Sequence, residues 1–476
     1  MARANTAKNT DLLSGALLPR IIRFSLPLMA TGILQLLFNT ADTVVVGRFG
    51  GATPEECETA LAAVGSCGSL IAVIINFFMG LSVGAGVCTA QSIGARRRDE
   101  VEHVVHTSVI TALVLGTFVA FMGMLLSRPL LTAMGTDQTV LPQAVAYIVA
   151  YFAGAPANML YNYCAAILRS KGDTSRPLMF LTVAGVSNVI LNLITVLVFG
   201  MGALGVGIAT AASHWISCIL IVIHMTRLDD ACRINLRKLK IHRSTLSKML
   251  YIGIPAGIQG TVFSFSNVMI QSAVNSFGRV AVAANTAANN ITDYGYIAQN
   301  SIYHAALTFV GQSVGARRPD RVRAAAIACT ATVAVVGFVT GTLSVLFGEQ
   351  LLSIFSPGNA EVIRYGMVRI RFMCLPYFLC GIMEVGSGIL RGLGKSTTSM
   401  IIAISGICGV RMIWIFTIFR AFRSLEILYF SYPVTWIITI CAQFAFAIYF
   451  IKKMKKESAE DPIEHAVNAP GQDPVQ

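Results

Sequence analysis

Apolar runs of about 20 residues recur along almost the whole chain and are separated by short polar segments. A bilayer core is about 30 Å thick, and about 20 apolar residues in a helix span it. The runs therefore predict twelve transmembrane helices, at 20–46, 59–89, 104–126, 143–168, 177–199, 205–226, 247–275, 282–311, 324–347, 363–390, 399–419 and 427–451. This pattern is typical of an all-α integral membrane protein.

The same pattern of helices and motifs occurs twice, once in each half of the chain. Four markers recur in register: QSIGARR at 91–97 as QSVGARR at 312–318, Leu168-Arg169 as Leu390-Arg391, Pro27 as Pro255, and Phe49-Gly50 as Phe277-Gly278. Each half holds six predicted helices and begins on the same side of the membrane, as in transporters built from parallel repeats. The sequence thus predicts two six-helix lobes related by a parallel internal duplication.

The predicted boundaries follow from this repeat. They are a cytoplasmic N-terminus at 1–19, an N-lobe at 20–226 (helices 1–6), a cytoplasmic linker at 227–246, a C-lobe at 247–451 (helices 7–12) and a cytoplasmic tail at 452–476. The linker is too polar to cross a membrane. The polar, acidic and proline-containing tail is expected to be disordered.

Composition and charge support a membrane protein and exclude other classes. Only 12% of the 476 residues are charged, against about 25% in a soluble domain, and the mean hydropathy is +0.68. The net charge of +13 does not indicate a nucleic-acid binder, because 27 of the 36 Lys and Arg lie on segments that the twelve-helix topology places on one side. By the positive-inside rule both termini are cytoplasmic. We expect a multi-pass monomer in a bacterial inner (plasma) membrane.

One carboxylate, Asp42, lies on a polar stripe of the first predicted helix, together with Thr31, Gln35 and Asn39. A carboxylate in hydrocarbon costs several kcal/mol, so it is expected to face a protein interior or a watery cavity and to bind an ion or a proton. The alternative is an acid at headgroup level near the helix end, because Asp42 lies only about 9 Å before Arg48 at ~1.5 Å per residue.

Further polar side chains follow other predicted helices at helical spacing. They are Asn158 and Asn162 on helix 4, Asn188, Asn192 and Thr195 on helix 5, Thr210, His214 and Ser217 on helix 6, Gln259 on helix 7, Asn285, Asn289, Asp293, Asn300 and His304 on helix 8, and Glu384 on helix 10. A single amide within a membrane helix often has only a structural role, as an interhelical hydrogen bond. The carboxylates Asp293 and Glu384 instead indicate a functional role. Arg411 on helix 11 needs a counter-ion, and a structural pair with Glu384 is one interpretation of both. The eleven cysteines form no CxxC pair, so we expect neither disulfides nor a metal site.

Several of these motifs resemble the multidrug and toxic compound extrusion (MATE) transporters, over residues 14–451. The resemblance depends on LRSKGDTSRP after helix 4, LRGLGKS after helix 10, MGALGVGIAT entering helix 6, the aspartate of helix 1 and the QxxGA signature in both halves. It implies a V-shaped pair of six-helix lobes in which inward flow of H⁺ or Na⁺ expels organic compounds.

The resemblance also implies roles for individual residues. Asp42 matches the family's N-lobe acid, Asn188 its helix 5 asparagine, Thr210 its helix 6 threonine, and Pro27 the proline where the first helix bends. This chain departs from the family at other positions. Asn192 stands where one branch has a second aspartate, and Gln259 stands where another branch has a glutamate in helix 7. Near the position of that branch's helix 10 aspartate this chain has Cys380, with Glu384 one turn later. The coupling ion and the lobe that binds it therefore stay open.

Three sets of functional residues are expected from these patterns. The ion- or proton-coupling set is Asp42, Asn188, Asn192, Thr210, Asp293 and Glu384, of which the first four would hold Na⁺ if Na⁺ is the ion. The substrate-cavity set is Gln35, Asn39, Asn158, Asn162, Gln259 and Asn289. Pro27 and Pro255 are the expected hinges.

The predicted function is secondary active export of amphipathic, mostly cationic organic compounds by alternating access, in antiport with H⁺ or Na⁺ and without another cofactor. Its expected partners are small organic cations and the lipid bilayer, not nucleic acid. One alternative is a flippase or exporter of lipid-linked sugars or other metabolites, but pyrophosphate needs a cationic cavity and the predicted interior offers acids with few buried basic residues.

The other alternative is a membrane enzyme or receptor. The GxSxG matches at 80–84 and 311–315 lie in predicted helices and not after a strand. The Gly-Lys-Ser run at 394–396 lacks the first glycine of a phosphate loop. We therefore expect neither catalysis nor an ATP site.

Overall fold

The computed structural model describes residues 13–355 and 359–460, and the regular structure in these ranges is helical. Twelve long helical segments follow one another. They are α1 (Leu17–Phe49), α2 (Pro54–Gly94), α3 (Arg98–Ala133), α4 (Leu141–Ala153 and Ala155–Lys171), α5 (Ser175–Val198), α6 (Gly202–Thr226), α7 (Arg243–Asn275), α8 (Arg279–Gly315), α9 (Pro319–Leu346), α10 (Ala360–Cys374 and Tyr377–Gly392), α11 (Ser396–Phe419) and α12 (Leu425–Glu460).

Each predicted transmembrane run lies within one of these helices to within a residue, so the twelve-helix arrangement is confirmed. Within the described ranges, eight helices are long and apolar enough to cross a membrane, and the two-part α4 and α10, bent by 44° and 47°, bring the number to ten. The helices α7 and α8 are 33 and 37 residues long but more polar. Their polar residues are those that the sequence predicted to face the interior.

Two boundary predictions need correction. The predicted tail begins as helix, because α12 continues to Glu460, with Lys453–Glu457 and Lys456–Glu460 pairs one turn apart at 3.9 and 3.7 Å. The rest of the tail, 461–476, lies outside the described residues. The polar linker also ends earlier than predicted, because α7 begins at Arg243. We call residues 227–242 the connector, and the end of the bundle where they lie the connector side.

Backbone geometry confirms the internal duplication. Arg96 and Arg317, at equivalent places after α2 and α8, both adopt the left-handed conformation, with φ of 56° and 51°. The glycines after α4 and α10, Gly172 and Gly394, are also left-handed, with φ of 99° and 76°. The two repeats therefore end these helices in the same way.

The two lobes, α1–α6 (N-lobe) and α7–α12 (C-lobe), exchange the first parts of α1 and α7. Ile21, Phe24 and Leu28 of α1 belong to an apolar cluster that is otherwise built from the C-lobe. Met249 and Ile252 of α7 belong in the same way to the N-lobe cluster. Since α1 begins and α6 ends on the connector side, this exchange fastens the lobes together there.

Small residues let α2 and α7 cross closely between the lobes. A Cβ at Gly80 would lie 2.3 Å from the nitrogen of Gly257, and a Cβ at Gly84 would lie 2.1 Å from the carbonyl oxygen of Met249. The glycine pair at 80 and 84 therefore serves helix packing. The main contact between the lobes therefore has no room for a side chain at either position.

A pair of glutamines from the repeated QSxGAR motif joins the lobes at the connector side. Gln91 Nε2 of α2 donates to the carbonyl oxygen of Gly392 at 3.0 Å, and Gln312 Nε2 of α8 donates to the carbonyl oxygen of Ser170 at 2.7 Å. Each lobe thus binds the end of the other lobe's fourth helix. We call these two hydrogen bonds the glutamine clasp.

Candidate functional site

A cavity in the N-lobe lies between α1, α4, α5 and α6 and has a volume of about 130 Å³. Its polar lining contains seven of the predicted site residues: Gln35, Asn39, Asp42, Asn158, Asn162, Asn188 and Thr210. The tertiary structure therefore brings the helix 1 acid to the amides of helices 4 and 5. It places Asp42 in this cavity, as the interior interpretation of that residue predicts.

Asp42 is held by a chain of side-chain hydrogen bonds. Asn192 Nδ2 donates to Asp42 Oδ1 and also approaches Asn188 Oδ1 at 3.3 Å. Asn188 Nδ2 in turn points at Thr210 Oγ1 at 3.5 Å. Asn188 and Asn192 are buried, and Asn192 Oδ1 has no hydrogen-bond partner among the described residues. The arrangement thus offers a carboxylate and a free buried amide oxygen, the hard oxygen ligands that suit a proton or a small cation.

Local structure explains why these side chains meet. A Cβ at Gly185 would lie 1.8 Å from the Phe38 ring, so the glycine lets α5 pack tightly against α1. The last turn of α5, Ile194–Val198, is π-helical, and such turns are frequent at functional sites. Thr195 Oγ1 donates to the carbonyl oxygen of Gly205 at 3.0 Å, which ties this turn to α6.

The C-lobe holds a larger cavity of about 640 Å³ between α7, α8, α10, α11 and α12. The predicted carboxylates Asp293 and Glu384 both line it, and so does Asn289. Aromatic side chains, among them Tyr432 and Trp436, form much of the remaining wall. Its volume is in the range of small-molecule sites, about 300–1,000 Å³.

Two buried arginines also line the C-lobe cavity. Arg369 and Arg411 are 5% and 4% exposed. Arg369 donates to the side-chain oxygens of Asn285 and Asn289, and to the Asn285 carbonyl oxygen at 3.1 Å. The sequence prediction of few buried basic residues is therefore wrong. A signal existed for Arg369, because it lies inside the tenth predicted helix and on the same face of α10 as Met373.

The suggested Arg411–Glu384 pair is not present in the described part of the chain. Arg411 Nη1 donates to Ser266 Oγ at 3.2 Å, and its guanidinium lies 4.3 Å from the centre of the Tyr432 ring. No carboxylate oxygen of a described residue lies within 4.0 Å of Arg411. The charge of Arg411 is thus stabilised by a hydroxyl and a π-face, with no buried ion pair.

Gln259 does not lie in the substrate cavity where the sequence predicted it. It is buried, and its Oε1 accepts a hydrogen bond from Arg391 Nη2 at 2.8 Å. Arg391 also donates to the hydroxyl of Tyr303. The physical reason is that an amide oxygen satisfies this buried guanidinium, which leaves Gln259 committed to a structural contact.

The two hinge candidates lie inside unbroken helices, Pro27 in α1 and Pro255 in α7. Each is at the point where the helix passes from one lobe's apolar cluster toward the other's. The structure shows their position, and their role as hinges stays a prediction. His214 lines the N-lobe cavity and packs edge-on to Tyr151, with ring centres 5.7 Å apart.

Comparison with known proteins shows which family this chain resembles. A family model described as MatE matches residues 27–194 and 255–417, one segment in each half of the chain. A Bacillus subtilis protein named "Probable multidrug resistance protein YoeA" is 27% identical over 90% of this chain and 93% of its own length. A Shewanella oneidensis protein named "FAD transporter" is 24% identical over 82% of this chain and 86% of its own length.

A solved structure has the same fold. It is described as the "Outward-facing conformation of a multidrug resistance MATE family transporter of the MOP superfamily" and aligns with a TM-score of 0.86. The alignment covers 94% of this chain and 99% of that one at 24% identity. At this identity the likeness shows the fold alone.

Proposed function

Because the chain belongs to the MatE family, a multi-pass membrane protein family, we propose that it is a secondary active exporter of amphipathic, mostly cationic organic compounds. In this proposal H⁺ or Na⁺ flows inward in exchange, and the connector side faces the cytoplasm of a bacterial inner membrane. The observation that supports it most is the Asp42 carboxylate, hydrogen-bonded by Asn192 at the wall of an interior cavity. A membrane-embedded acid in such a place is typical of an ion or proton path.

The proposed cycle begins from the state that the structure describes. The glutamine clasp and the α2–α7 crossing close the connector side, so both cavities lie toward the opposite end of the bundle. A proton or Na⁺ that neutralises Asp42 weakens the hydrogen bond from Asn192. The hydrogen bonds that link Asn188 and Thr210 to this network then lose their charged acceptor. As a result α1 shifts near Pro27, and the exported compound is released.

The energy of a membrane potential is sufficient for this exchange. Each charge that moves inward contributes about 2.3 kcal/mol per 100 mV. One net charge moved inward per cycle, as when two H⁺ or Na⁺ exchange for one monovalent organic cation, corresponds to a concentration ratio of more than about tenfold for the exported compound. No ATP site is therefore required by the proposal.

The test is transport of ethidium by purified protein in liposomes under separately imposed pH and Na⁺ gradients. We expect accumulation with one of the gradients and none without a gradient. Asp42→Asn should abolish it, while Glu58→Gln, which removes an exposed carboxylate of α2, should not. Full transport by Asp42→Asn would contradict the assignment, and no transport under any cation gradient would contradict the proposed function.

The buried arginines favour a second candidate, export of an anionic metabolite or of a lipid-linked pyrophosphate. Arg369 and Arg411 give the C-lobe cavity fixed positive charge, and a relative carries the name "FAD transporter". Saturable binding of a pyrophosphate lipid, with no binding of ethidium, would favour this candidate over the first.

A further inference from the structure

We infer that the C-lobe cavity is a binding site for the carboxylate of an aromatic, zwitterionic compound, and that Arg411 is the group that binds this carboxylate. This inference rests on the proposed export function and specifies the cargo. It depends on the placement of charge inside the cavity.

Arg411 is a permanent cation that the structure leaves without a neutralising partner. It is 4% exposed, and of its nitrogens Nε has no hydrogen-bond partner in the described structure. Its contacts to Ser266 and Tyr432 orient the guanidinium but bring no negative charge. Arginine stays protonated in proteins, and a buried charge is costly unless it is paired. A carboxylate ligand satisfies both the charge and the free N–H.

Arg369 has the same kind of environment on the other wall. It is 5% exposed, the side-chain oxygens of Asn285 and Asn289 accept its hydrogen bonds, and its Nε has no partner in the described structure. Amide oxygens satisfy hydrogen bonds without cancelling a unit charge. The cavity thus carries two guanidinium groups that make no ion-pair contact with a carboxylate of the described residues, and Arg369 adds to the positive potential that a carboxylate meets at Arg411.

The carboxylates of the cavity make the complementary half of the site. Asp293 and Glu384 line the same space, and neither lies within 4.0 Å of an arginine nitrogen in the part of the chain that the structure describes. Positive and negative groups are therefore present but held apart. A zwitterion of matching length can pair with both, whereas a simple cation leaves the arginines unpaired.

The aromatic side chains of the C-lobe cavity favour a ligand whose charged groups are joined by aromatic rings. Tyr432 stacks with Arg411 and packs edge-on to Trp436, with ring centres 5.8 Å apart. Aromatic walls bury planar ring systems well and tolerate varied shapes. The volume of about 640 Å³ admits a compound of several fused rings.

The experiment compares rhodamine B, which carries a carboxylate beside its cationic rings, with its ethyl ester, which lacks that charge. Binding to purified protein in detergent is followed by fluorescence polarisation. Since hydrogen bonds to charged groups contribute about 1.5–3 kcal/mol, we expect wild-type protein to prefer the acid by about tenfold or more. Arg411→Gln should reduce that preference to near one, and Arg411→Lys should retain part of it.

Two further variants keep the result interpretable. Ser266→Ala removes the hydrogen bond that orients Arg411 without touching its charge, and should reduce the preference by a few fold. Ser187→Ala, whose hydroxyl bonds only the Val183 carbonyl of its own N-lobe helix, should keep the full preference. Because binding in detergent requires no ion gradient, failure of coupling and failure of this site are distinguishable. Thermal unfolding and gel filtration verify that each variant is folded.

Three results would overturn the inference. One is equal binding of the acid and the ester by wild-type protein. The second is an unchanged preference in folded Arg411→Gln and Ser266→Ala. The third is displacement of rhodamine B by a short-chain phosphatidic acid at lower concentration than by an aromatic carboxylate, which would assign Arg411 to a lipid phosphate.

Discussion

The two lobes derive from one duplicated unit, yet their cavities differ in the number and the sign of the charged side chains that line them. The N-lobe cavity contains a single carboxylate, Asp42, surrounded by amides and hydroxyls. The C-lobe cavity contains two carboxylates and two buried arginines. The repeat offset that aligns Pro27 with Pro255 places Ile270 opposite Asp42, and Ile270 is buried in an apolar cluster.

The two lobes therefore share the arrangement of their helices but differ in the side chains that line their cavities. α5 and α11 occupy equivalent places and both contain π-helical turns, but one carries Asn188 and Asn192 and the other carries Arg411. The N-lobe site, a single carboxylate among neutral amides and hydroxyls, suits an inorganic cation or a proton. A large cavity with separated charges and aromatic walls suits an organic molecule. We propose that the N-lobe couples the ion and that the C-lobe holds the cargo.

The largest effect should separate the two lobes in a transport assay. Asp42→Asn should abolish gradient-driven transport, whereas the double variant Asp293→Asn with Glu384→Gln should still couple transport to the gradient, with weaker binding of cations. The measurement is ethidium transport in liposomes at several ethidium concentrations. Loss of coupling in the C-lobe variant, with normal protein folding, would show that the coupling ion binds there.

The second prediction places an acid in the C-lobe at the repeat position of Asp42. Ile270→Asp puts a carboxylate at a 3% exposed position where the apolar cluster around Val274 borders the C-lobe cavity, and should destabilise the protein by about 2–4 kcal/mol. Ile270→Leu keeps the volume and should cost less than about 1.5 kcal/mol. Thermal unfolding in detergent checks both. A neutral effect of Ile270→Asp would mean that the C-lobe can accept the N-lobe design.

The third prediction concerns the donor to Asp42. Asn192→Ala removes that hydrogen bond and should lower coupled transport about tenfold or more, because a hydrogen bond to a charged group contributes about 1.5 kcal/mol or more. Ser187→Ala is the control, since its hydroxyl bonds only the Val183 carbonyl of the same helix. Initial rates of ethidium transport measure the difference, and equal rates in the two variants would contradict the role of Asn192.

The smallest effect is expected from the glutamine clasp, to which each lobe contributes one equivalent hydrogen bond. Gln91→Ala and Gln312→Ala should each weaken the closed connector side by about 1 kcal/mol. Amide hydrogen exchange at 168–173 and 390–395 should rise several-fold in the double variant. Ser82→Ala, whose hydroxyl bonds only the Met79 carbonyl, should leave exchange unchanged. No change in the double variant would mean that the α2–α7 crossing alone closes this side.

The sequence by itself determined the number of helices and the parallel duplication. These follow from run length and local spacing, which depend on residues near one another in the chain. It also identified Asp42, Asn188 and Thr210, which the fold then brought to one cavity, and Asn192, which donates to Asp42. Periodicity was sufficient there because each residue lies on the polar stripe of its own helix.

Only the tertiary structure decided what the C-lobe arginines and Gln259 do. Arg369 lies in the basic stretch 364–371 of the tenth predicted helix, and hydropathy alone could not tell whether its charge is buried or exposed. Gln259 lies on a membrane helix like the cavity amides, but a neighbouring helix supplies Arg391 as its partner. A one-dimensional pattern shows which face of a helix is polar. The helix that packs against that face, and the charge it brings, depend on contacts between residues more than 100 positions apart in the chain.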